Sequence, residues 1–364
     1  MSLIFSTKEI KEIFIIHQEA TQTTRNNWES QLYIIPKAPR VYPPQPRKPI
    51  VTPIAMSIPI VVAFTANYFV PAATTISSIL QNTQGNEKFH FIVLNNENLP
   101  NKMQQKLIRI GGDNTTFTFL NLKGKLKDVY IDERYTEAAS YRLLLPELLP
   151  DYDKVIYLDC DIIVRNDIGK LYRETKLGNN YLAGVFEAPL DFQVERFKSI
   201  CNPHEYINSG FLIMNLALLR QDNMTRKFVE ALNVDYLEFP DQDVLNMVCK
   251  GRIMGLPPYH NSIRTFFIPQ YKKFFLKQYS ESELAEVLSH GTIHYTGGKP
   301  WNQFTIEFLT WWRVYEQLPS YIKEEWKVNY KTFTFYKIFN TILGEAIINK
   351  VLTIYRRIKH GKKF

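Results

Sequence analysis

Cysteine is scarce in this chain of 364 residues: Cys160, Cys201 and Cys249 are the only three, and no Cys-x-x-Cys occurs. An odd number at wide spacing argues against a disulfide framework and a zinc knuckle, and fits a reducing compartment. Long apolar runs are missing too. No stretch reaches the roughly 18 uncharged apolar residues that a membrane-spanning helix needs. The stretch Met1–Ala20 carries Lys8, Glu9, Lys11 and Glu12 where a secretory signal would need an apolar core. We therefore expect a cytoplasmic protein with no transmembrane helix and no secretory signal. Acid is scarce only at one end. The segment 331–364 holds eight Lys/Arg against the single acid Glu345, or +7 of the chain's net +8. The remainder is near neutral, so a globally basic nucleic-acid binder is not expected.

What is present is an apolar and aromatic content (45% and 14%) ample for a buried core. Residues 1–35 read as a short helix or a pair of strands. Eight prolines then fall within 36–59, including Pro43-Pro44. Proline lacks the donor N–H and restricts its predecessor, so this stretch reads as an extended linker. The expected organisation is an N-terminal extension and linker over 1–57, a catalytic domain over 58–330, and a basic tail over 331–364.

From Ile58 the pattern alternates. Strands are predicted at Ile58–Phe64, Phe89–Leu94, Thr115–Leu120 and Val155–Leu158, with helices at Val70–Leu80, Leu99–Ile110 and Ala138–Leu149. This alternation implies an α/β fold, a mostly parallel sheet with helices on both faces. Ligands of such sheets bind beyond the carboxyl ends of strands, where Asn67-Tyr68 and Asp159-Cys160-Asp161 stand. Further on, Asn208–Leu216 reads as a strand, Leu216–Leu232 and Asp241–Lys250 as helices, and 257–289 as loop-rich. Phe333–Arg357 has the spacing of an amphipathic helix.

Four motifs could carry chemistry. In Lys154-Val-Ile-Tyr-Leu-Asp-Cys-Asp-Ile-Ile-Val, two carboxylates at i and i+2 follow an apolar strand. Extended geometry would point Asp159 and Asp161 one way and Cys160 the other. Close carboxylates repel unless a proton or cation lies between them, and hard oxygen ligands suit Mg²⁺ or Mn²⁺. A solvated strand-end turn would show the same short pattern. In His294-Tyr-Thr-Gly-Gly-Lys-Pro-Trp301, an imidazole could supply a third ligand. Its glycines would admit backbone N–H groups close to a phosphate, and Lys299 would add positive charge. Asn208-Ser-Gly-Phe places polar groups at the mouth of a strand, either to bind sugar hydroxyls or to cap a turn. In Pro240-Asp-Gln-Asp, Asp241 could cap a helix, or the acid–amide–acid cluster could stabilise an oxocarbenium-like centre.

Taken in order, Ala63-x-x-x-Asn67-Tyr68, Tyr141-Arg142, Tyr157-Leu-Asp-Cys-Asp161, Asn208-Ser-Gly210, Asp241-Gln-Asp243 and His294-to-Trp301 resemble glycosyltransferase family 8 over about residues 58–305. That family includes bacterial lipopolysaccharide galactosyl- and glucosyltransferases, galactinol synthases and glycogenin. The resemblance implies a GT-A fold (a Rossmann-like nucleotide-binding domain), followed here by the helical tail. It implies a metal-dependent hexosyltransferase that uses a UDP-hexose donor and Mn²⁺ or Mg²⁺ and retains anomeric configuration. Carried over by position, Asp159, Asp161 and His294 would be the metal ligands. Ala63, Thr65, Asn67 and Tyr68 would cradle uridine, and Arg142 would approach the sugar or diphosphate. Asn208, Ser209, Asp241 and Gln242 would surround the transferred sugar, the last two as the catalytic pair. Gly297 and Lys299 would bind the diphosphate.

Two positions depart from the family pattern: Thr65 stands where many bacterial members have Asp, and Glu187 where an Asp often helps hold the sugar. The implied acceptor is a saccharide, lipid-linked as in lipopolysaccharide synthesis. The basic tail suits an anionic membrane surface, at roughly 1 kcal/mol per basic residue near it, and so a peripheral place on the inner face of the cytoplasmic membrane. Competing readings are a metal-dependent nucleotide-sugar hydrolase or nucleotidyltransferase, a self-glucosylating glycogenin-like protein, and a carbohydrate-binding protein without activity.

Overall fold

An uninterrupted apolar run makes sense as a strand only if both of its faces are covered. In the computed structural model, which describes residues 57–125, 140–234 and 237–341 with positions 344, 346, 347, 350 and 354, this run is strand β1. The strands are β1 (Ser57–Ala63), β2 (Lys88–Asn95), β3 (Thr115–Asn121), β4 (Lys154–Leu158), β5 (Ile162–Ile163), β6 (Leu182–Phe186), β7 (Ile207–Asn215), β8 (Ile253–Gly255), β9 (Ser262–Ile263) and β10 (Ile293–His294). Seven of them form one sheet in the order β3-β2-β1-β4-β7-β6-β8. Its pairs are parallel except where β7 lies antiparallel between β4 and β6. Side chains alternate between the faces. Ile58, Ile60, Val62, Ile156 and Leu158 enter the core on one side, under helices Phe69–Gln81 and Phe308–Gln317. Val61, Val155 and Tyr157 enter the core on the other side, with Leu216, Leu219, Met224 and Phe228. The expected α/β architecture is therefore present, with helices on both faces.

A small second sheet, β5-β10-β9, lies beyond the end of β4. Helix Phe69–Gln81 holds it in place with its own hydroxyls. Thr75 Oγ1 donates to Ile162 O (2.9 Å), and Ser78 Oγ accepts from Val164 N (2.9 Å).

Local expectations fail at four places. Within 138–149, the described part forms a 3-10 turn, Tyr141–Leu144, and one α turn, Leu145–Leu148. Pro146 has no N–H to continue an α-helix from the preceding turn. The single helix expected over 216–232 is two, Leu216–Gln221 and Met224–Ala231, parted at Asn223 with φ 52°. Asparagine tolerates that left-handed geometry better than most residues. The stretch 257–289 is not merely loop: it contains helices Lys272–Gln278 and Glu281–His290. The second opens with a reciprocal Ser280–Glu283 capping box, a signal legible as Ser-x-x-Glu. Finally, the tail helix predicted over 333–357 is interrupted: helix Tyr330–Phe339 stops at Asn340, and the described positions 344, 346, 347, 350 and 354 beyond it are helical again. Its Phe333 and Tyr336 rings pack on Trp312 at 5.3 and 6.0 Å. Most of the predicted helix beyond residue 341, and the extension and proline-rich linker, lie outside the described residues. No helix among the described residues is long and apolar enough to cross a membrane.

Candidate active site

The site is built where β4 ends. Asp159 continues the β4–β7 ladder by one step, its N–H donating to Gly210 O at 2.8 Å. The chain then turns through Cys160 and Asp161 before β5. Asp-Cys-Asp is thus a turn and not the extended segment predicted from the spacing. The carboxylates converge all the same, because β5 pairs antiparallel with β10, His294 opposite Ile162. Tyr295 N–H also donates to Asp161 O (3.1 Å). That short pairing delivers His294 to the two acids.

Ligand atoms of Asp159, Asp161 and His294 all lie within 4.8 Å of one another. His294 Nε2 stands 3.3 Å from Asp161 Oδ1 and 3.8 Å from Asp159 Oδ2. Asp161 Oδ1 is buried and accepts no hydrogen bond. A buried carboxylate oxygen without a donor is costly, and two carboxylates plus an imidazole form a donor set suited to a divalent cation. These residues fit such an ion. Burial alone would raise the Asp161 carboxyl, but the Lys299 ammonium, the largest opposing influence, holds it below the usual carboxylate range. Lys299 Nζ contacts Asp161 Oδ2 and donates to Tyr295 O (2.8 Å).

Arg142 is the buried cation of the site. It reaches Asp159 Oδ1 (2.8 Å), Asp241 Oδ2 (3.2 Å) and Ser209 O (2.6 Å), and lies over the Tyr157 ring at 4.3 Å. Tyr157 OH donates to Asp159 Oδ1 at 3.1 Å. Asp241 sits high for a carboxyl because burial outweighs Arg142 beside it. Ser209 Oγ donates to Asp241 Oδ2 (3.0 Å). Asn208 Nδ2 donates to Gln242 Oε1 (3.1 Å) and to Glu187 Oε1 (3.3 Å), while Gln242 Nε2 donates to Glu187 Oε1 (3.3 Å). Burial still raises Glu187 despite those donors.

A cavity of about 710 Å³ opens over these groups. It is lined by Ala63, Thr65, Tyr68, Arg142, Asp159, Asp161, Glu187, Asn208, Ser209, Asp241, Gln242, His294, Gly297 and Lys299, which the sequence had singled out. Asn67 is the exception: it lies outside the lining, its Oδ1 against Thr65 Oγ1. Tyr68 stays a neutral phenol, since burial and then Asp161, Cys160 and Asp159 raise it; its ring meets Trp301 edge-on at 5.5 Å. Gly297 takes φ +87°, a conformation that favours glycine, and faces Arg264.

Asp243, third in the acid–amide–acid cluster, is absent from the lining. It is fully buried, paired with Arg196 at 2.6 Å, and accepts from the N–H groups of Glu238 (2.9 Å) and Phe239 (3.0 Å). Its role is to hold the start of helix Pro240–Val248. Three contributors escaped sequence reasoning. Nothing in Asn208-Ser-Gly210 marks the glycine as a contributor, yet a Cβ there would lie 2.2 Å from His294 Cε1. Arg264 lines the cavity, and Asn261 contacts His294 Nδ1 at 3.1 Å. Both stand in the irregular stretch after 257, where no periodicity marks them.

Comparisons with known proteins place the chain in a family. The model of the family described as Glycosyl transferase family 8 matches residues 59–305, more than half of the chain. General stress protein A of Bacillus subtilis (strain 168) is 32% identical over 183 residues, covering 47% of this chain and 61% of that protein. The match therefore spans less than two thirds of that relative's length. Lipopolysaccharide 1,2-glucosyltransferase of Escherichia coli (strain K12) is 28% identical, covering 66% of this chain and 72% of the relative. Among solved structures, galactosyltransferase LgtC in complex with donor and acceptor sugar analogs superposes with TM-score 0.60 at 23% identity. That superposition covers 74% of this chain and all of the other, and shows a shared fold. With the ordered motifs lining one cavity and the family match running across them, this chain belongs to glycosyltransferase family 8.

Proposed function

We propose that this glycosyltransferase moves a hexose, glucose or galactose, from a UDP-sugar to a saccharide acceptor. The observation that carries this reading is the buried Oδ1 of Asp161, without a hydrogen-bond donor, facing His294 Nε2 in the lining of the cavity. Asp159, Asp161 and His294 would hold Mn²⁺ or Mg²⁺. A divalent cation there neutralises charge that develops on the departing diphosphate. Lys299 adds a second positive charge on the same side, and Gly297 lets backbone approach a phosphate. Asn208, Ser209, Glu187 and Gln242 present amide, hydroxyl and carboxyl groups that suit sugar hydroxyls. Of the two acids in the acid–amide–acid cluster, Asp243 is consumed by Arg196 and backbone donors. Asp241 is tied to Arg142 and Ser209, and Gln242 is an amide. No free carboxylate is thus offered as a nucleophile by this cluster. Retention then favours attack on the leaving-group face, with the departing phosphate oxygen taking the acceptor proton.

The acceptor is read as lipid-linked and the site of action as the inner face of the cytoplasmic membrane. Two features support this. Relatives bear lipopolysaccharide glucosyl- and galactosyltransferase names, Tyr330 and Ile338 are exposed on helix Tyr330–Phe339, and the sequence after it carries Arg356, Arg357, Lys359, Lys362 and Lys363. The test is a panel of UDP-sugars assayed for turnover with Mn²⁺, with Mg²⁺ and with chelator. One UDP-hexose should be turned over only with cation, and Asp161→Asn should lose that turnover. Cation-independent turnover, or full activity in Asp161→Asn, would sink the reading. For the membrane, replacing the five basic residues with Gln should abolish binding to anionic vesicles while leaving Phe333 and Tyr336 packed. Unchanged partitioning would end that part.

A further inference from the structure

A metal-ligating histidine must present a bare nitrogen, and something must decide which nitrogen that is. Here a fixed donor runs into the site from the main chain. Gly210 N–H, which cannot flip, donates to Asn208 Oδ1 (3.2 Å). Asn208 Nδ2 must then face Gln242 Oε1 (3.1 Å), and that oxygen is itself fixed as an acceptor by Ser209 N–H (3.0 Å). Asn208 Oδ1 therefore presents a lone pair to Asn261, which answers with Nδ2 at 3.0 Å. Asn261 is fully buried, and the reverse orientation of its amide would set two oxygens against each other. Its Oδ1 is left facing His294 Nδ1 at 3.1 Å.

We propose that Asn261 is a positioning residue that fixes His294 as the Nδ1–H tautomer, so that Nε2 turns a lone pair on Asp159 and Asp161, and that it ties this site to Asn208 in the sugar pocket. The proposal rests on reading those three residues as a cation site. A neutral ring carries one proton; once Nδ1 holds it, Nε2 faces the unpartnered Asp161 Oδ1 at 3.3 Å, lone pair against lone pair. A cation between them resolves that contact. Asn261 lies three residues after Pro258, and its place is set by packing: β9 follows it directly and pairs with β10 beside His294.

The test uses the full chain, metal-free, with ¹⁵N-labelled histidine, and reads long-range ¹H–¹⁵N correlations. His294→Gln identifies the His294 signals by their loss. In the wild type, Nδ1 should show a pyrrole-type shift and Nε2 a pyridine-type one. Asn261→Ala should mix the tautomers and weaken Mn²⁺ binding about 10–100-fold by calorimetry. Asn261→Asp keeps an acceptor for Nδ1–H but offers Asn208 no donor. It should keep the tautomer and still raise the donor KM. A wild-type Nε2–H tautomer would overturn the proposal, as would Asn261→Ala with unchanged tautomer and Mn²⁺ affinity. If Asn261→Ala does not fold, the wild-type and Asn261→Asp spectra decide it. A wild type that shows the Nδ1–H form yet binds no Mn²⁺ would refute the cation site and support the tautomer assignment.

Discussion

Gly210 offers the sharpest test of the site's geometry. It has an ordinary negative φ, so alanine there meets no backbone strain. The obstacle is space: an added Cβ would lie 2.2 Å from His294 Cε1, and 2.8 Å from both His294 Nδ1 and Asp159 Oδ2. Ordinary contact begins at 3.4 Å, so His294 would have to retreat by 1.2 Å (3.4 − 2.2). The ring cannot swing away freely, because Asn261 holds Nδ1 and the β5–β10 pairing holds its backbone. Ligand positions tolerate only about 0.2 Å, and a misplacement near 1 Å costs on the order of 10²-fold in rate. Gly210→Ala should therefore lose at least about 10²-fold in turnover and bind Mn²⁺ far more weakly. Overpacking should cost about 1–3 kcal/mol of stability by urea unfolding. Gly184→Ala serves as the control. The nearest atoms to its Cβ would be Leu212 Cδ2 at 3.2 Å, Ile207 Cγ2 at 3.3 Å and Ile207 Cβ at 3.4 Å, so it should lose some stability but keep metal affinity. Gly210→Ala with turnover and Mn²⁺ affinity within threefold (~0.7 kcal/mol) of wild type would refute the geometry.

Removing Arg142 as Arg142→Ala strands Asp159 and Asp241 without their cation; we expect about 3–5 kcal/mol of destabilisation in urea, and a loss near zero would show that the two acids do not depend on it. Lys299→Met keeps the apolar stem and drops the charge. The donor KM should rise about 10–100-fold, as for one charge-assisted hydrogen bond, and an unchanged KM would remove Lys299 from the diphosphate. His260 is buried between Tyr259 and Phe211, and burial, then His290, lowers it from 6.5 to about 4. The unfolded chain binds the extra proton between those values, so stability is full above pH 6.5 and falls as pH drops toward 4. The loss reaches about 3 kcal/mol. Urea unfolding at pH 7.5 and 4.5 should show that His260→Gln loses less than wild type between the two; equal losses would contradict the assignment.

Periodicity and composition carried much of the fold. The run from Ile58, the β-branched run from Thr115 and the helix over Val70–Leu80 depend on neighbours a few residues away, which is what a sequence shows directly. The Asp-Cys-Asp and His-Tyr-Thr-Gly-Gly-Lys motifs pointed to candidate residues by type and order, though a solvated strand-end turn would carry the same Asp-x-Asp spacing. Where a helix breaks is less legible, because Asn223 adopts left-handed geometry only within its packing, whereas the start at Ser280 is written locally as Ser-x-x-Glu.

Long-range contacts belong to the tertiary structure. No local pattern announces that the two-residue strands β5 and β10 would pair and bring His294 onto Asp161. Nor does any show that Asp241 would face the cavity while Asp243, two positions on, would be consumed by Arg196. The role of Asn261 depends on amide orientations relayed from the Gly210 N–H, a directional property of hydrogen bonds that exists only once the chain is packed. Residue chemistry was thus written in the sequence, whereas its convergence was decided by strand pairing between segments far apart in the chain.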